Sequence, residues 1–170
     1  MRIWRTISIP PLKSCNPDID PHEYTFKVTP KTTPTVLDGH MYEATTRSIR
    51  IRVEPHYLEE QSQPDDGHFV WAYDVEINNG GQEPVQLKTR YWRIVDALGR
   101  TEEVRGPGVV GQTPVIPPGG TFSYSSGCPL RTPQGIMSGS YQMVDDKGKM
   151  FDAAIPAFSL DSPYTTRSVN

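Results

Sequence analysis

Apolar and polar residues alternate with a period of two along most of the chain from residue 47 onward. The clearest example lies between residues 69 and 77, where one face carries Phe69, Trp71, Tyr73, Val75 and Ile77. Successive side chains of a strand point to opposite faces of its sheet, so this pattern predicts a half-buried strand. Similar patterns predict strands near 49–53, 85–95, 100–105, 113–116, 122–126, 139–144 and 149–156. No stretch keeps a helical period beyond two turns.

Short strands separated by frequent turn residues define the predicted fold class. With 14 glycines and 17 prolines in 170 residues, the chain has many turn formers, and this supports an all-β fold. We predict an antiparallel β-sandwich of the immunoglobulin type with about seven to nine strands; a closed barrel is the alternative. Asn79-Gly80-Gly81 predicts a tight turn with positive φ angles that pairs the strand ending at Ile77 with the strand at 85–95. A slip in the alternation predicts a bulge near Tyr91-Trp92.

The first forty residues differ in pattern from the rest. They contain six prolines and no sustained period. We therefore predict a poorly ordered N-terminal arm over 1–40, a β-sandwich domain over 41–162 and a C-terminal tail over 163–170. Met41 is a candidate alternative start, because the patterned sequence begins just after it. No apolar run approaches the roughly 20 residues that span a bilayer, so no membrane association is predicted.

A glycine-rich loop follows the predicted strand at 100–105. Gly106, Gly108 and Gly111 form the spacing G-x-G-x-x-G. That spacing binds dinucleotides only where a strand leads into a helix. Here residues 112–120 contain three prolines and two glycines, which exclude a helix of useful length. The loop is therefore predicted to join two strands. Its glycines serve either the turn geometry or a backbone nest for an anion.

Charge and cysteine content exclude several function classes. A formal net charge of −3 is too small to favour nucleic acid or an anionic membrane as a partner. Cys15 and Cys128 lie far apart in the sequence, and no Cys/His cluster accompanies them. A disulfide framework and a zinc site are therefore not expected, and a cytoplasmic setting is predicted.

Candidate catalytic residues do not form a known motif. Ser123, Ser125 and Ser126 lack the surroundings of a nucleophile elbow, and His56 and His68 flank a charged loop. The pairs of adjacent acidic residues lack EF-hand spacing. We predict no enzymatic activity, no cofactor and no metal site.

Several segments, in this order, resemble the ApaG family. The resemblance covers residues 42–161 and is carried by 47–51 (RSIRI), 53–55 (VEP), 69–73 (FVWAY), 90–94 (RYWRI), 104–111 (VRGPGVVG), 124–130 (YSSGCPL) and 139–143 (GSYQM). It implies a fibronectin type III-like sandwich without a defined catalytic activity. In bacteria the family accompanies a diadenosine tetraphosphate hydrolase and is linked to cobalt and magnesium tolerance. Related eukaryotic domains act as interaction modules in F-box and polymerase-associated proteins.

The candidate anion- or partner-binding residues are Arg105, Gly106, Gly108, Gly111, Arg93 and Trp92. Trp92 is either a core residue or a surface anchor. Arg90 is expected on the face opposite Tyr91 and Arg93, so the arginines do not all converge without the bulge.

Three functions follow from these residues. The preferred one is a noncatalytic protein–protein interaction module with an unidentified partner, and a homodimer through an edge strand is left open. The alternative is binding of a phosphorylated small molecule or nucleotide at the loop over residues 106–111. A metal-dependent enzyme is the weakest of the three hypotheses.

Overall fold

The computed structural model describes residues 40–165, and nine strands run between residues 42 and 161. In chain order they are β1 (Tyr42–Thr46), β2 (Ile49–Tyr57), β3 (Phe69–Asn79), β4 (Val85–Asp96), β5 (Thr101–Pro107), β6 (Val115–Ile116), β7 (Thr121–Leu130), β8 (Gln134–Asp145) and β9 (Met150–Asp161). The predicted arm lies outside the described residues except for residue 40, and so do residues 166–170 of the predicted tail.

Helical structure within residues 40–165 is limited to two short 3₁₀ turns, Glu59–Gln61 and Pro64–Asp66. Both lie in the charged segment between β2 and β3. No helix in this part of the chain has the length and apolar character needed to cross a membrane.

The strands form two antiparallel sheets. The first has the order β1-β2-β3-β7, and the second has the order β5-β4-β8-β9, with β6 paired to the start of β4. The predicted β-sandwich is confirmed. The fibronectin type III-like assignment remains a prediction.

The core lies between the two sheets and follows the alternation in the sequence. Ile51, Val53 and Ile77 from the first sheet are buried, as are Leu87 and Met143 from the second. Burying each such side chain contributes about 1.5–3 kcal/mol before the entropy cost of ordering it.

The predicted turn between β3 and β4 is wrong in two respects. The two strands lie in different sheets, and β3 pairs with β2 and β7 instead. Neither Gly80 nor Gly81 has a positive φ angle. The reason is the buried Asn79 side chain, whose Nδ2 donates to the carbonyls of Glu83 (2.8 Å) and Ile116 (3.0 Å). This side chain holds the chain as it passes from one sheet to the other.

The bulge predicted near Tyr91-Trp92 is also misplaced. The register between β4 and β8 shifts between Leu87 and Thr89. At this point the Leu87 N–H donates to Pro114 (3.0 Å), and Lys88 accepts from the Gly108 N–H (2.9 Å). The shift lies where the neighbour of β4 changes from β6 to β5.

Two further boundaries differ from the sequence prediction. The pattern from residue 47 onward missed β1, which pairs with β2. The last strand was predicted to end at Pro156 but continues to Asp161. Proline is tolerated there because β9 lies at a sheet edge and its register with β8 shifts nearby.

The two lateral sides of the sandwich are built differently. On one side β9 packs against β1 and β2. There Tyr42 Oη and Ser159 Oγ are 2.8 Å apart, and the Ala154 N–H donates to Thr46 Oγ1 (3.0 Å). On the other side the edge strands are β7 of the first sheet and β5 of the second. We call these the closed side and the open side.

Candidate functional site

The glycine-rich loop joins β5 to β6, as predicted, and is closed by its own backbone. The Val109 and Gln112 backbones exchange two hydrogen bonds of 2.8 Å each. Between them, Val110 has a φ of 43° and Gly111 a φ of 76°. Two consecutive positive φ angles are typical of a type I′ turn. Because a β-branched residue rarely adopts this conformation, Val110 is a strained position.

The three glycines of the loop have different structural roles. Gly108 has a φ of 55°, and a Cβ atom there would lie 2.0 Å from the Gln112 carbonyl oxygen. Gly111 needs its positive φ, but a Cβ atom there would meet nothing within 4 Å. A Cβ atom at Gly106 would lie 3.2 Å from the Arg90 guanidinium. Turn geometry and close packing thus account for all three glycines.

Arg90 supports the loop from the inner side of β4. Its Nη1 donates to the carbonyls of Pro107 (2.9 Å) and Gly108 (2.8 Å). It lies on the face opposite Tyr91 and Arg93, as predicted, because consecutive residues of a strand point to opposite faces. The Arg90 charge is therefore directed at loop carbonyls.

Three tyrosines lie near Arg90 between the sheets: Tyr73 and Tyr141 are buried, and Tyr124 is partly buried. The hydroxyls of Tyr124 and Tyr141 are hydrogen-bonded to each other, and Tyr73 is the register partner of Ser126 between β3 and β7. Burial raises the pKa of all three tyrosines, and the nearby Arg90 charge partly opposes this. These phenols are therefore neutral donors at physiological pH.

The outer face of the second sheet carries a cluster of aromatic and charged side chains. The Arg105 guanidinium lies 4.2 Å above the Tyr91 ring centre. Glu103 accepts a hydrogen bond from Tyr91 Oη (3.1 Å) and is 3.4 Å from Arg105 Nη2. Arg93 is exposed next to them, and no ion pair is recorded for it within residues 40–165. We call these four residues the Tyr91 cluster.

Trp92 does not belong to this surface. Its side chain is 2% exposed and packs edge-on against Tyr73, Tyr141 and Phe158. The interpretation as a core residue is confirmed, and the interpretation as a surface anchor is wrong. The candidate set thus divides into Arg93 and Arg105 on the outer face, the three loop glycines, and a buried tryptophan.

Sequence reasoning missed a polar cluster on the outer face of the first sheet. His56 Nε2 lies 3.2 Å from Asp74 Oδ2, and Ser125 Oγ donates to Asp74 Oδ1. The hydrogen bond between His56 and Asp74 is the largest cause that raises the pKa of His56 and lowers that of Asp74. The three residues lie on β2, β3 and β7, so only the strand register brings them together.

The order of groups in this cluster differs from that of a catalytic triad. In a triad the imidazole lies between the serine and the carboxylate and takes the serine proton. Here the Asp74 carboxylate lies between His56 and Ser125. The serine proton is directed at Asp74, so the arrangement does not activate Ser125 as a nucleophile.

The described part of the chain offers neither a candidate metal site nor an exposed thiol. No group of three or more His, Cys, Asp and Glu side chains within residues 40–165 is placed to hold a metal ion. The Cys128 thiol is buried, and burial raises its pKa to about 12. Little thiolate forms at neutral pH, so Cys128 is a poor nucleophile.

The fold and the Tyr91 cluster describe a β-sandwich domain with an arginine- and tyrosine-bearing face. Residues 59–145 match the family model described as ApaG domain. The chain is 57% identical over 130 residues to Protein ApaG of Paramagnetospirillum magneticum, which covers 76% of this chain and 100% of that protein. It is 60% identical over 124 residues to Protein ApaG of Rhodospirillum centenum, and this match covers 73% of this chain and 95% of that protein. The chain therefore belongs to the ApaG family.

A solved structure agrees with this assignment. A crystal structure of an ApaA protein from Bordetella pertussis superposes with a TM-score of 0.67 at 47% identity. The match covers 69% of this chain and 95% of that chain. The predicted family resemblance is confirmed.

Proposed function

We propose that this chain is a noncatalytic protein–protein interaction module that binds its partner through the Tyr91 cluster. The observation that carries this proposal is the stacking of Arg105 on Tyr91 beside the exposed Arg93. Tyrosine and arginine are enriched at protein interfaces and among the residues that dominate binding energy. Arg105 is already held against a ring, so part of its side-chain entropy is lost before a partner binds.

The Tyr91 cluster favours a partner segment with carboxylates. Two arginines face one glutamate within the cluster, so its local charge is positive. A partner carboxylate is therefore expected to pair with Arg93, which is exposed beside the stacked Arg105. We place this interaction in the cytoplasm, in connection with the cation tolerance and diadenosine polyphosphate metabolism that the family resemblance implies.

Affinity capture from cell lysate at physiological salt tests this proposal. The full chain is used as bait beside a double variant, Arg93→Ala with Arg105→Ala. A charge-matched control carries Lys147→Ala and Lys149→Ala in the hairpin between β8 and β9. Wild type and control are expected to recover the same specific partner, and the double variant at least about tenfold less of it. Recovery of no specific partner, or equal recovery by all three, contradicts the proposal.

One observation favours the alternative function, binding of a phosphorylated small molecule or nucleotide at the loop over 106–111. Within residues 40–165, the Val110 and Gly111 N–H groups have no recorded acceptor. In contrast, the Gly108, Val109 and Gln112 N–H groups already donate to backbone carbonyls. Two free amides form a smaller anion site than a full nest.

Calorimetric titration with diadenosine polyphosphates tests this alternative. Saturable binding that Gly108→Val abolishes would support it. No heat of binding, or binding that is unchanged in Gly108→Val, would eliminate it. Gly111→Ala serves as the milder control, because a Cβ atom there meets no neighbouring atom.

A further inference from the structure

The backbone hydrogen bonds of β3 reveal which groups of β7 are unpaired. The Gly80 N–H donates to Ser48 (2.8 Å) on the β2 side, and the Asn79 N–H donates to Gly120 (2.9 Å) on the β7 side. Hydrogen bonding alternates along an antiparallel strand. The backbone groups of the even-numbered residues of β3 therefore bond to β2, and those of the odd-numbered residues bond to β7.

The register then assigns the free edge of β7. Val75 pairs with Tyr124 and Ile77 pairs with Phe122, so these two residues of β7 bond to β3. The alternate residues direct their N–H and C=O groups away from the sheet; they are Thr121, Ser123, Ser125 and Gly127. No other backbone partner of these groups is recorded within residues 40–165.

The edges formed by β9 and β5 are protected. On β9, the Ala154 N–H is bound by Thr46 Oγ1. On β5, the same alternation places Glu103, Arg105 and Pro107 at edge-facing positions, and proline has no N–H to offer. Charged side chains, proline and covering contacts are the usual means of preventing strand addition. Residues 121–128 of β7 contain neither a charge nor a proline, and the strand's one proline, Pro129, lies next to its last residue.

The inner side of β7 borders a partly open apolar strip. Phe122 and Tyr124 of β7 and Val104 of β5 are only partly buried, although they pack against the core. Glu102 of β5 pairs with Ile94 and shares the inward face with Val104. Its carboxylate acts electrostatically on Cys128 of β7, so it faces the space between the two edge strands. No cation pairs with Glu102 in the described part of the chain.

We propose that an extended segment of a partner protein adds to β7 as a fifth strand of the first sheet. Its backbone pairs with the Ser123 and Ser125 edge, its alternate apolar side chains cover Phe122 and Tyr124, and a lysine or arginine among them meets Glu102. Strand addition of this kind combines backbone affinity with side-chain specificity. The inference rests on the proposed interaction function and names a second contact surface on the open side, beside β5.

A second copy of this chain is a poorer occupant of the same edge. Pairing of β7 with β7 would bring two uncharged strands together and would offer no cation to Glu102. Covering an unpaired carboxylate removes it from water without compensation, and this makes binding less favourable. A foreign segment with a basic residue removes that cost, so the charge pattern favours a heterologous partner.

Fluorescence anisotropy with a synthetic peptide tests the proposal on the full chain. The probe is labelled Thr-Val-Thr-Lys-Thr-Val-Thr, which alternates apolar or basic residues with polar ones. Ser123→Pro removes an edge N–H that makes no bond to β3. Thr101→Pro is the matched control, because it removes an edge N–H from β5. Glu102→Gln removes the charge that the peptide lysine is proposed to meet.

The wild type and Thr101→Pro are expected to bind the peptide equally. Ser123→Pro should bind at least about fivefold more weakly, the effect of one lost hydrogen bond and a steric block. Glu102→Gln should weaken binding of the lysine peptide about threefold or more and leave a peptide with glutamine at that position unaffected. Circular dichroism and thermal melts confirm that each variant is folded.

Three results would overturn the inference. They are no peptide binding at about millimolar concentration, equal binding by the wild type and Ser123→Pro, and a concentration-dependent dimer in sedimentation that Ser123→Pro abolishes. The third result identifies a second copy as the occupant. If lysate capture still recovers a partner that depends on Arg93 and Arg105, only strand addition is refuted. If capture also fails, the interaction function itself is refuted.

Discussion

The closed and open sides of the sandwich show how one fold separates stability from accessibility. On the closed side, side chains cross between the sheets: Tyr42 bonds to Ser159, Thr46 accepts from Ala154, and the Arg47 guanidinium lies 4.3 Å from the Phe151 ring centre. On the open side, β5 is protected by its own charges and proline, whereas β7 is uncharged. The difference indicates that the closed side holds the sheets together, and the open side is the one that we propose contacts a partner.

The largest expected loss of stability concerns the loop after β5, which follows an edge strand of the open side. It tests whether this loop is rigid. Gly108→Ala should destabilise the protein by about 2–4 kcal/mol, because it combines a left-handed backbone with a clash against the Gln112 carbonyl. Gly111→Ala should cost only about 1–2 kcal/mol, since the backbone conformation alone is unfavourable. Urea unfolding measures both values. Equal losses would show that the loop opens to accommodate the Gly108 side chain.

Proline substitutions at one edge position on each side compare the two sides directly. Ala154→Pro removes the N–H that donates to Thr46 and should cost about 1–2 kcal/mol. Ser123→Pro removes an N–H without a recorded protein acceptor and should cost less than about 1 kcal/mol. Thermal denaturation of both variants gives the ranking. A larger loss for Ser123→Pro would mean that the two sides have been assigned the wrong way round.

A smaller effect is expected from one hydroxyl on the closed side. Tyr42→Phe removes the hydrogen bond to Ser159 and should cost about 1 kcal/mol. A double-mutant cycle with Ser159→Ala isolates the bond from other effects of each substitution. Ser123→Ala on the open side is the comparison and should change stability by less than about 0.5 kcal/mol. Additive losses at Tyr42 and Ser159 would show that the crossing bond contributes nothing.

The smallest effect concerns pH and the polar cluster at the centre of the first sheet. The pKa of His56 is raised in the folded state by its hydrogen bond to Asp74. The protonated form is therefore favoured by folding, and its contribution is present below the unfolded pKa near 6.5 and lost as pH rises through the folded pKa. Because His56 is partly exposed, the contribution should be below about 1 kcal/mol. His56→Gln should flatten the decline in unfolding free energy from pH 6 to pH 8. An unchanged slope would show that other groups cause the pH dependence.

The sequence predicted which residues face the core better than it predicted which strands pair with each other. Alternation identified the inward residues of β3 correctly, because side-chain direction depends only on local geometry. The turn signal at Asn79-Gly80-Gly81 paired β3 with β4 wrongly, because Asn79 acts through side-chain bonds to Glu83 and Ile116 that no local pattern reveals. The same limit concealed the cluster of His56, Asp74 and Ser125, which depends on the register of three strands.

The candidate site was predicted only in part. The prolines and glycines of residues 112–120 correctly indicated that the G-x-G-x-x-G segment is a loop between strands. The glycines of that segment mark positions where a side chain would be strained or crowded. The spacing did not reveal that Arg90 binds the loop carbonyls or that Arg105 stacks on Tyr91. The free edge of β7 was not predictable either, since it follows from hydrogen-bond alternation across the whole first sheet.

Amide hydrogen exchange along β7, followed by NMR on the full chain, tests the central claim most directly. The account predicts that the Ser123 and Ser125 amides exchange rapidly while those of Tyr124 and Ser126 are protected, and that the Ala154 amide on the closed side is slowed by Thr46. Addition of the alternating lysine peptide should then protect Ser123 and Ser125. Protection of Ser123 equal to that of Tyr124 in the free protein would contradict the account, because the edge of β7 would already be occupied.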